Sequence, residues 1–260
     1  MTQLDLVVPA HNEQDRIDRM LDTYRSFFVA GDVRFVVALD GCVDRTADVV
    51  AAHRREDPRV ELHEFDKLGK GGVLREAFRA CTGDLVGFVD ADGATPPAEL
   101  ARLADVAARA DGAIANRWHP AAVLPGHRPM ARRVASVCFA RAARGMFGLP
   151  FGDTQCGAKV FRGPVLADLL PVLSERSLLF DVDLLAAAHA MGYQVVEVPT
   201  VWIDQAGSRT ATHVAREAPK VGELLLGMWL RARAMPVSSS ARTRASHTQP
   251  DTTAMAHHVH

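Results

Sequence analysis

Residues 84–95 read D-L-V-G-F-V-D-A-D-G-A-T, a short apolar strand that runs directly into two aspartates one residue apart. Side chains at alternate positions of an extended segment point the same way, so Asp90 and Asp92 can converge on one cation. Mg²⁺ and Mn²⁺ prefer oxygen ligands and commonly lie between one or two carboxylates and the phosphates of a substrate. The stretch therefore predicts a metal–diphosphate site. The alternative is a pair of solvated turn aspartates, because Asp is a common turn residue.

Around this stretch, apolar strands alternate with amphipathic helices. The pattern predicts strands at residues 4–8, 33–39, 60–65 and 85–89, and helices at 13–29, 44–53, 70–81 and 97–110. Such alternation is typical of an α/β protein with a doubly wound, mostly parallel sheet. Ligands bind beyond the carboxyl ends of the strands in these sheets. Three polar clusters, at residues 9–13, 40–44 and 90–92, fall at such ends and predict a site there.

The second half of the chain is less regular. Its residue pattern predicts a basic helix at 128–147 and a polar turn leading into a strand at 153–161. It also predicts a helix at 181–191, a strand at 193–202 and an amphipathic helix at 214–234. Residues 236–260 lack apolar periodicity and are predicted to form a disordered tail.

Composition and charge limit the class of protein. The formal net charge of −1 over 260 residues gives no indication of nucleic-acid binding. The four cysteines form no C-x-x-C pair, which favours reduced thiols in a cytoplasmic protein. We see neither a signal peptide nor an apolar run of the roughly 18 to 20 residues that span a bilayer. The chain is therefore expected to have no transmembrane helix and to be soluble or peripheral.

Several motifs follow one another in a recognisable order. They are V-V-P-A-H-N-E (7–13), L-D-G-C-V-D-R-T (39–46), G-K-G-G (69–72), V-D-A-D-G-A-T (89–95), D-T-Q-C-G-A-K-V-F (153–161), F-D-V-D-L-L (180–185), V-P-T-V-W (198–202) and G-S-R (207–209). In this order they resemble a family 2 glycosyltransferase of the GT-A fold, of the polyprenyl-phosphate sugar synthase or dolichyl-phosphate β-glucosyltransferase type. The resemblance implies one Rossmann-like domain at 1–235, with a nucleotide-sugar-binding half (1–115) and an acceptor-binding half (116–235).

The resemblance also implies a set of donor-binding residues. These are Pro9, Ala10, Asn12, Glu13, Asp40, Lys70, Gly71, Asp90, Ala91, Asp92, Ser208 and Arg209. Asp92 would bind Mg²⁺ or Mn²⁺ directly, and Asp90 would support the metal or hold the ribose. Glu13 would contact ribose or uracil, although helix capping is an alternative for this residue. Asp40 would accept a hydrogen bond from the base. The G-K-G-G segment would face the ligand, although it could also be an ordinary turn.

On the acceptor side, the resemblance implies that Asp153 and Gln155 lie in the acceptor loop. The arginines expected to bind a phosphate are Arg117, Arg128, Arg132 and Arg133, since arginine binds phosphate bidentately. The alternative for the basic stretch is a solvated helix face, and it also suits a membrane-surface helix. Asp181 or Asp183 would act as the base if the acceptor were a hydroxyl. The catalytic candidates are therefore Asp92, Asp181, Asp183 and Arg117.

The function implied is transfer of glucose from UDP-glucose to a polyprenyl phosphate, peripherally at the cytosolic membrane face. A phosphate acceptor requires no general base, because its oxygens are already ionised near neutral pH. Three alternatives stay open: mannose transfer from GDP-mannose, transfer to a soluble hydroxyl acceptor, and nucleotide-sugar binding without turnover. A dehydrogenase is excluded because no G-x-G-x-x-G follows the first strand.

Overall fold

The protein folds around one mixed sheet. The computed structural model describes residues 2–125, 130–203 and 218–232, and at 130–138 and 218–223 it describes the backbone alone. The strands of the described residues are β1 (Leu4–Ala10), β2 (Val33–Asp40), β3 (Val60–Phe65), β4 (Leu85–Val89), β5 (Gly112–Asn116), β6 (Ala158–Arg162) and β7 (Val195–Pro199). The helices are α1 (Ile17–Phe27), α2 (Thr46–Glu56), α3 (Lys70–Arg79), α4 (Pro97–Ala107), α5 (Met130–Phe147), α6 (Gly163–Leu169), α7 (Phe180–Ala190) and α8 (Ala218–Ala232).

The strands lie in the order β3-β2-β1-β4-β6-β5-β7. All neighbouring pairs are parallel except those of β6, which runs antiparallel to both β4 and β5. The prediction of a doubly wound, mostly parallel α/β sheet is therefore confirmed.

Alternation along the strands produces two apolar layers, one on each face of the sheet. Leu6 and Val8 pack with α1, α2 and α4, whereas Val7 between them packs with α3 and α5 to α8. Both faces are covered, so the strands are near-continuous apolar runs rather than alternating ones. Asp5 is an exception, because it is fully buried near the start of β1.

One rim of the sheet collects the polar clusters. The carboxyl ends of β1, β2 and β4 lie there because these strands are parallel neighbours. Since β6 is antiparallel to β4, its amino end comes to the same rim, with Ala158 opposite Val89. The backbone N–H of Asp90 accordingly donates to the carbonyl oxygen of Gly157 at 3.0 Å. The D-A-D and D-T-Q-C-G segments, far apart in sequence, thus meet at this rim.

The structure departs from the predicted elements in a few places. Strand β5 and the short helix α6 were not predicted, and the helix predicted at 13–29 begins only at Ile17. The predicted tail at 236–260 lies outside the described residues. In the described parts of the chain, no helix combines the length and apolarity that crossing a membrane requires.

Candidate functional site

Asp90 directly follows the last residue of β4, and Asp92 lies two positions further along the chain. The N–H of Ala94 donates to Asp92 Oδ1 at 3.0 Å, which fixes the turn after the strand. Asp90 packs against Gly157 so closely that a Cβ at position 157 would lie 1.8 Å from Asp90 Oδ2. Gly157 therefore leaves the space that the Asp90 carboxylate occupies, a role that the sequence analysis did not assign.

The site holds an excess of negative charge. Burial, and then the charge of Asp90, raise the pKa of the Asp92 carboxyl above its usual range. Burial is also the largest cause of the raised pKa of Glu13, to which the charges of Asp92 and Asp90 add. A divalent cation would relieve this repulsion, and carboxylate oxygens are the ligands that Mg²⁺ and Mn²⁺ prefer.

Two carboxylates provide only part of a metal coordination shell. Among residues 2–125, 130–203 and 218–232, no group of three or more His, Cys, Asp or Glu side chains is arranged to hold a metal ion. This donor set fits a cation that takes its remaining oxygens from water and from a bound diphosphate, as Mg²⁺ usually does.

Glu13 lies in the loop after β1, and the side chain of Arg16, three residues later, binds its carboxylate. Arg16 Nε and Nη2 donate to the two carboxylate oxygens of Glu13 at 2.6 and 2.7 Å. The backbone carbonyl oxygen of Glu13 accepts hydrogen bonds from the N–H groups of Arg16 and Ile17, both at 2.9 Å, so Glu13 caps the start of α1 through its backbone and not through its carboxylate. Arg16 also brings positive charge towards Asp92. Arg16 was not among the predicted site residues, although its i,i+3 spacing from Glu13 was a usable signal.

The first two loops of the rim are joined by Asn12. Its backbone has a left-handed φ of 56°, and its Oδ1 accepts a hydrogen bond from the N–H of Val43 at 2.9 Å. Pro9 and Ala10 are the last residues of β1, and the side chain of Ala10 is buried in the core. Ala91 is buried as well, so both alanines can offer a ligand only their backbone.

Asp40 supports the loop between β3 and α3. Its Oδ1 accepts hydrogen bonds from the N–H groups of Leu68 and Gly69, at 2.6 and 3.0 Å. The prediction that Asp40 binds the nucleotide base is therefore corrected for this oxygen, which is engaged by the protein backbone.

The glycine-rich segment packs against the loop before α7 rather than opening towards a ligand. The N–H of Gly71 donates to the carbonyl oxygen of Arg176 at 2.9 Å, and a Cβ at Gly71 would lie 2.5 Å from the carbonyl oxygen of Glu175. The contact between Gly71 and the donor stays a prediction, and the backbone N–H of Gly71 is already bound by Arg176. Gly71 is needed because two backbone segments approach each other closely.

Lys70, the first residue of α3, does face the site. Its Nζ lies 2.9 Å from Asp90 Oδ1 and 3.2 Å from Asp181 Oδ2. Burial opposes the charge on this ammonium group, but Asp181 and Asp90 outweigh it and hold the pKa of Lys70 above its ordinary value. Lys70 therefore remains a cation beside Asp90.

Asp181 is buried between two lysines. Its second oxygen, Oδ1, accepts a hydrogen bond from Lys159 Nζ at 2.5 Å, and the aspartate is only 2% exposed. Burial favours the neutral acid, but the charges of Lys159 and Lys70 prevail and the pKa of Asp181 is lowered. A carboxylate with a lowered pKa and two bound ammonium groups is a poor proton acceptor, which disfavours Asp181 as a general base; that role stays a prediction.

Asp183 points to the same loop as Gly71. Its Oδ2 accepts hydrogen bonds from the N–H groups of Ser174 and Glu175, both at 2.9 Å, and the residue is buried. The carboxylate of Asp183 thus holds the loop that precedes α7, and its role as a catalytic base stays a prediction.

Arg117 and Asp153 form a buried bidentate pair. Arg117 Nε and Nη2 donate to the two oxygens of Asp153 at 2.7 and 2.9 Å. The guanidinium carbon lies 4.9 Å from the ring centre of Trp202 and 5.7 Å from that of Trp118. The N–H of Gln155 donates to Asp153, so the pair shapes the acceptor-side loop. The two side chains bind each other, and their roles in acceptor binding stay predictions.

For the other predicted site residues, either only the backbone is described or the residue lies outside the described ranges. Arg132 and Arg133 belong to α5, but only their backbone is described. Arg128, Ser208 and Arg209 lie outside the described residues.

Several solved structures share this fold. A crystal structure of glucosyl-3-phosphoglycerate synthase from Mycobacterium tuberculosis, in complex with Mn²⁺, UDP and phosphoglyceric acid, superposes with a TM-score of 0.63 and 17% identity. The alignment covers 88% of this chain and 78% of that chain. At this identity the likeness concerns the fold, which is the predicted GT-A fold.

Curated relatives match most of the chain. Glycosyltransferase AglD of Haloferax volcanii is 30% identical over 90% of this chain, which spans only 38% of that relative's length. The dolichyl-phosphate beta-glucosyltransferase of Drosophila melanogaster is 31% identical, with 80% of this chain and 69% of the relative covered. The undecaprenyl-phosphate mannosyltransferase of Micrococcus luteus is 28% identical, with 76% and 83% covered.

The family model for glycosyl transferase family 2 matches residues 5–169, which include β1 from its second residue, β2 to β6 and the aspartates at the rim. This match covers more than half of the chain and agrees with the family that the motifs predicted. The protein belongs to glycosyl transferase family 2.

Proposed function

We propose that this protein transfers a hexose, with glucose favoured, from a nucleotide diphosphate sugar to a polyprenyl phosphate, with inversion at the anomeric carbon. The names of the Drosophila and Micrococcus relatives support a lipid phosphate as the acceptor. The glucosyltransferase name, together with the D-A-D-G-A-T and D-T-Q-C-G motifs, favours UDP-glucose as the donor.

The proposal of a phosphate rather than a hydroxyl acceptor rests on one structural observation. The acidic side chains beside the acceptor-side loop are engaged: Asp153 by Arg117, Asp181 by two lysines, and Asp183 by two backbone N–H groups. A hydroxyl acceptor needs a positioned base to take its proton. A phosphate monoester does not, since its second pKa is about 6 and its oxygens are ionised at neutral pH. The absence of a poised base among these carboxylates therefore favours a phosphate.

The proposed reaction is a single displacement. An ionised oxygen of the lipid phosphate attacks the anomeric carbon of the hexose, and the bond from that carbon to the nucleoside diphosphate breaks. The electron pair leaves with the diphosphate, and inversion gives a β-linked product from an α-linked donor.

The rim residues have separate tasks in this proposal. Asp92, with support from Asp90, would hold Mg²⁺ or Mn²⁺, which when bound neutralises charge on the departing diphosphate as a Lewis acid. Lys70 supplies a fixed positive charge beside Asp90. Glu13, oriented by Arg16, is available to the ribose hydroxyls of the donor.

A lipid acceptor implies a membrane surface, and α8 offers an apolar face for it. Leu224, Leu226 and Leu230 are exposed on this helix, whereas Leu225 and Met228 are buried. Arg141 and Arg144 are exposed on α5, against which α8 packs. Exposed leucines on one helix and exposed arginines on the helix that packs against it suit the interface of a bilayer that contains anionic lipids.

Radiolabel transfer tests the proposal. UDP-glucose and GDP-mannose are each offered with Mg²⁺ or Mn²⁺ and a short polyprenyl phosphate, with the wild-type protein beside Asp92→Ala. We expect label in the lipid phase from UDP-glucose and its loss in the variant. Lipid label from GDP-mannose alone would identify a mannosyltransferase instead.

Two other outcomes would reject the lipid phosphate as acceptor. Slow donor hydrolysis without a lipid product would indicate a transferase for a soluble hydroxyl acceptor. Donor binding without any turnover would indicate a nucleotide-sugar-binding protein.

A further inference from the structure

Lys159 is a fully buried lysine that the proposed reaction leaves unused. It lies in β6 opposite Phe88 of β4, and its side chain is 0% exposed. Its Nζ donates to the carbonyl oxygen of Cys156 at 2.6 Å and to Asp181 Oδ1 at 2.5 Å. Burying an ammonium group costs several kcal/mol, and a buried ion pair often adds no net stability. The position therefore calls for a role other than stabilising the fold.

Lys159 begins a chain of alternating charges that ends at the rim. We call Lys159, Asp181, Lys70 and Asp90 the lysine–aspartate chain. Asp181 binds one lysine with each oxygen, and Lys70 then reaches Asp90 Oδ1 at 2.9 Å. Both ammonium groups lie 5.3 Å from the ring centre of Phe88, a distance at which a cation is attracted to an aromatic ring. Asp90 is the only member with more than a fifth of its side chain exposed, at 32%.

The net charge next to Asp90 depends on Lys159. Lys159, Asp181 and Lys70 together carry one net positive charge. Without Lys159, the negative charge of Asp181 would be balanced by Lys70 alone, and both oxygens of Asp181 would compete for the Lys70 ammonium group. Lys159 thus satisfies one oxygen of Asp181 and lets Lys70 reach Asp90.

We propose that Lys159 is a positioning residue for the donor: through Asp181 it directs Lys70 towards Asp90, and it makes the charge near the diphosphate less negative by one unit. The inference rests on the proposed function, since its ligand is the nucleoside diphosphate of that reaction. Lys159 itself is buried and acts only through Asp181 and Lys70.

Two binding measurements on Lys159→Met test this inference without turnover. Calorimetry in EDTA gives the affinity for UDP, and electron paramagnetic resonance gives the affinity for Mn²⁺ without nucleotide. Removing one positive charge should weaken UDP binding about tenfold and strengthen Mn²⁺ binding about threefold or more. A residue that only stabilised the fold would not shift the two affinities in opposite directions. Shifts of the same sign, or unchanged affinities, in a folded variant would overturn the proposal.

Two further variants distinguish an effect of net charge on UDP affinity from an effect of a damaged fold. Lys159→Met with Asp181→Asn restores one net positive charge and should return UDP affinity to within about threefold of the wild type. Asp181→Asn alone leaves two positive charges and should bind UDP more tightly than the wild type. If Lys159→Met does not fold, the double variant is compared with Asp181→Asn alone, because these two proteins differ only at position 159. Equal UDP affinities of the two would overturn the proposal.

Arg34→Met is the matched control, because it breaks another buried ion pair, with Asp5, on β1 and β2. It should lower stability and leave both affinities unchanged. A wild-type protein that binds neither UDP nor GDP, with or without Mn²⁺, would reject the proposed function itself. Wild-type binding with no effect of Lys159→Met would reject only the role of Lys159.

Discussion

Gly157 shows how one missing side chain sets the position of a functional carboxylate. A Cβ at this position would lie 1.8 Å from Asp90 Oδ2 and 2.3 Å from Asp90 Cγ, well inside van der Waals contact. Gly157→Ala must therefore displace Asp90 from its place beside Lys70. Misplacing a catalytic group by about 1 Å can cost about 100-fold in rate, and we expect a loss of that size in hexose transfer.

Gly145→Ala is the control for this substitution. Gly145 lies in α5 with no atom within 4 Å of an added Cβ, so alanine there should stabilise the helix by up to about 1 kcal/mol. Its transfer rate should equal that of the wild type. A folded Gly157→Ala protein with full activity would contradict the assigned role of Asp90.

At the level of single residues, the sequence predicted where carboxylates gather but not what each one contacts. Asp90, Asp92 and Glu13 could be placed at one rim because parallel strands bring their carboxyl ends together. The pairing of Lys70 with Asp181 joins residues 111 positions apart and depends on how α3 meets α7. Lys159 was part of a quoted motif, yet only the antiparallel register of β6 shows that its side chain is buried beside Phe88.

Among the elements, β1 and β2 are joined at their amino ends by a buried ion pair. Arg34 Nε and Nη2 donate to the two oxygens of Asp5 at 2.9 and 2.6 Å, and the N–H groups of Thr82 and Gly83 also donate to Asp5. Burial opposes ionisation of Asp5, but these hydrogen bonds prevail and lower the pKa of its carboxyl group.

Asp5→Asn tests the contribution of this pair to stability. Because the folded pKa is lowered, the stabilisation is present above the ordinary aspartate pKa and is lost as pH falls through the folded value. At pH 7 we expect Asn to lower the free energy of unfolding by about 1.5 to 3 kcal/mol, since it removes the charge-assisted hydrogen bonds to Asp5 while Arg34 keeps its ion pair with Glu61. Urea titrations between pH 7 and pH 3 should show the difference shrinking with acidification. A difference that grows in acid would contradict the lowered pKa.

The exposed leucines of α8 provide a test of the membrane surface. Leu226→Ser with Leu230→Ser changes only side chains that are 51% and 58% exposed. Each should alter stability by no more than about 0.5 kcal/mol. We expect co-sedimentation with vesicles of phosphatidylcholine and phosphatidylserine to fall while turnover of a short, water-soluble polyprenyl phosphate persists. Unchanged vesicle binding would remove α8 from the proposed interface.

The elements that the sequence failed to predict are short and poor in distinctive residues. Strand β5 is G-A-I-A-N, where small residues give little indication of a strand, and Gly112 is required because Phe161 packs 2.6 Å from where a Cβ would lie. Helix α6 has only seven residues, fewer than an apolar helical period needs to be recognised. The long amphipathic segments were predicted because their apolar spacing is sustained over several turns.

For the whole molecule, ligand binding should appear as thermal stabilisation. Repulsion between Asp90 and Asp92 is present in the folded protein, so binding of a cation and a nucleotide relieves a native-state penalty. UDP with Mn²⁺ at about 100 times the dissociation constant should add about 2.7 kcal/mol, or roughly 5 to 10 °C in the melting temperature.

The same measurement on Asp92→Ala isolates the contribution of the metal. We expect the increment that depends on Mn²⁺ to disappear, while the melting temperature without ligand does not fall, because one repelling charge has been removed. Retention of the Mn²⁺ increment in this variant would show that the cation binds elsewhere.

The antiparallel strand β6 also determines the order in which the protein can fold during synthesis. Strands β1 to β4 pair with one another, but β5 joins the sheet only through β6 and β7, which emerge later from the ribosome. At about 5 to 20 residues per second, residues 117–157 take several seconds to appear. During that interval β4 presents an open edge and β5 an unpaired apolar segment. A nascent chain that stalls there would be a natural client for chaperones that shield exposed strands.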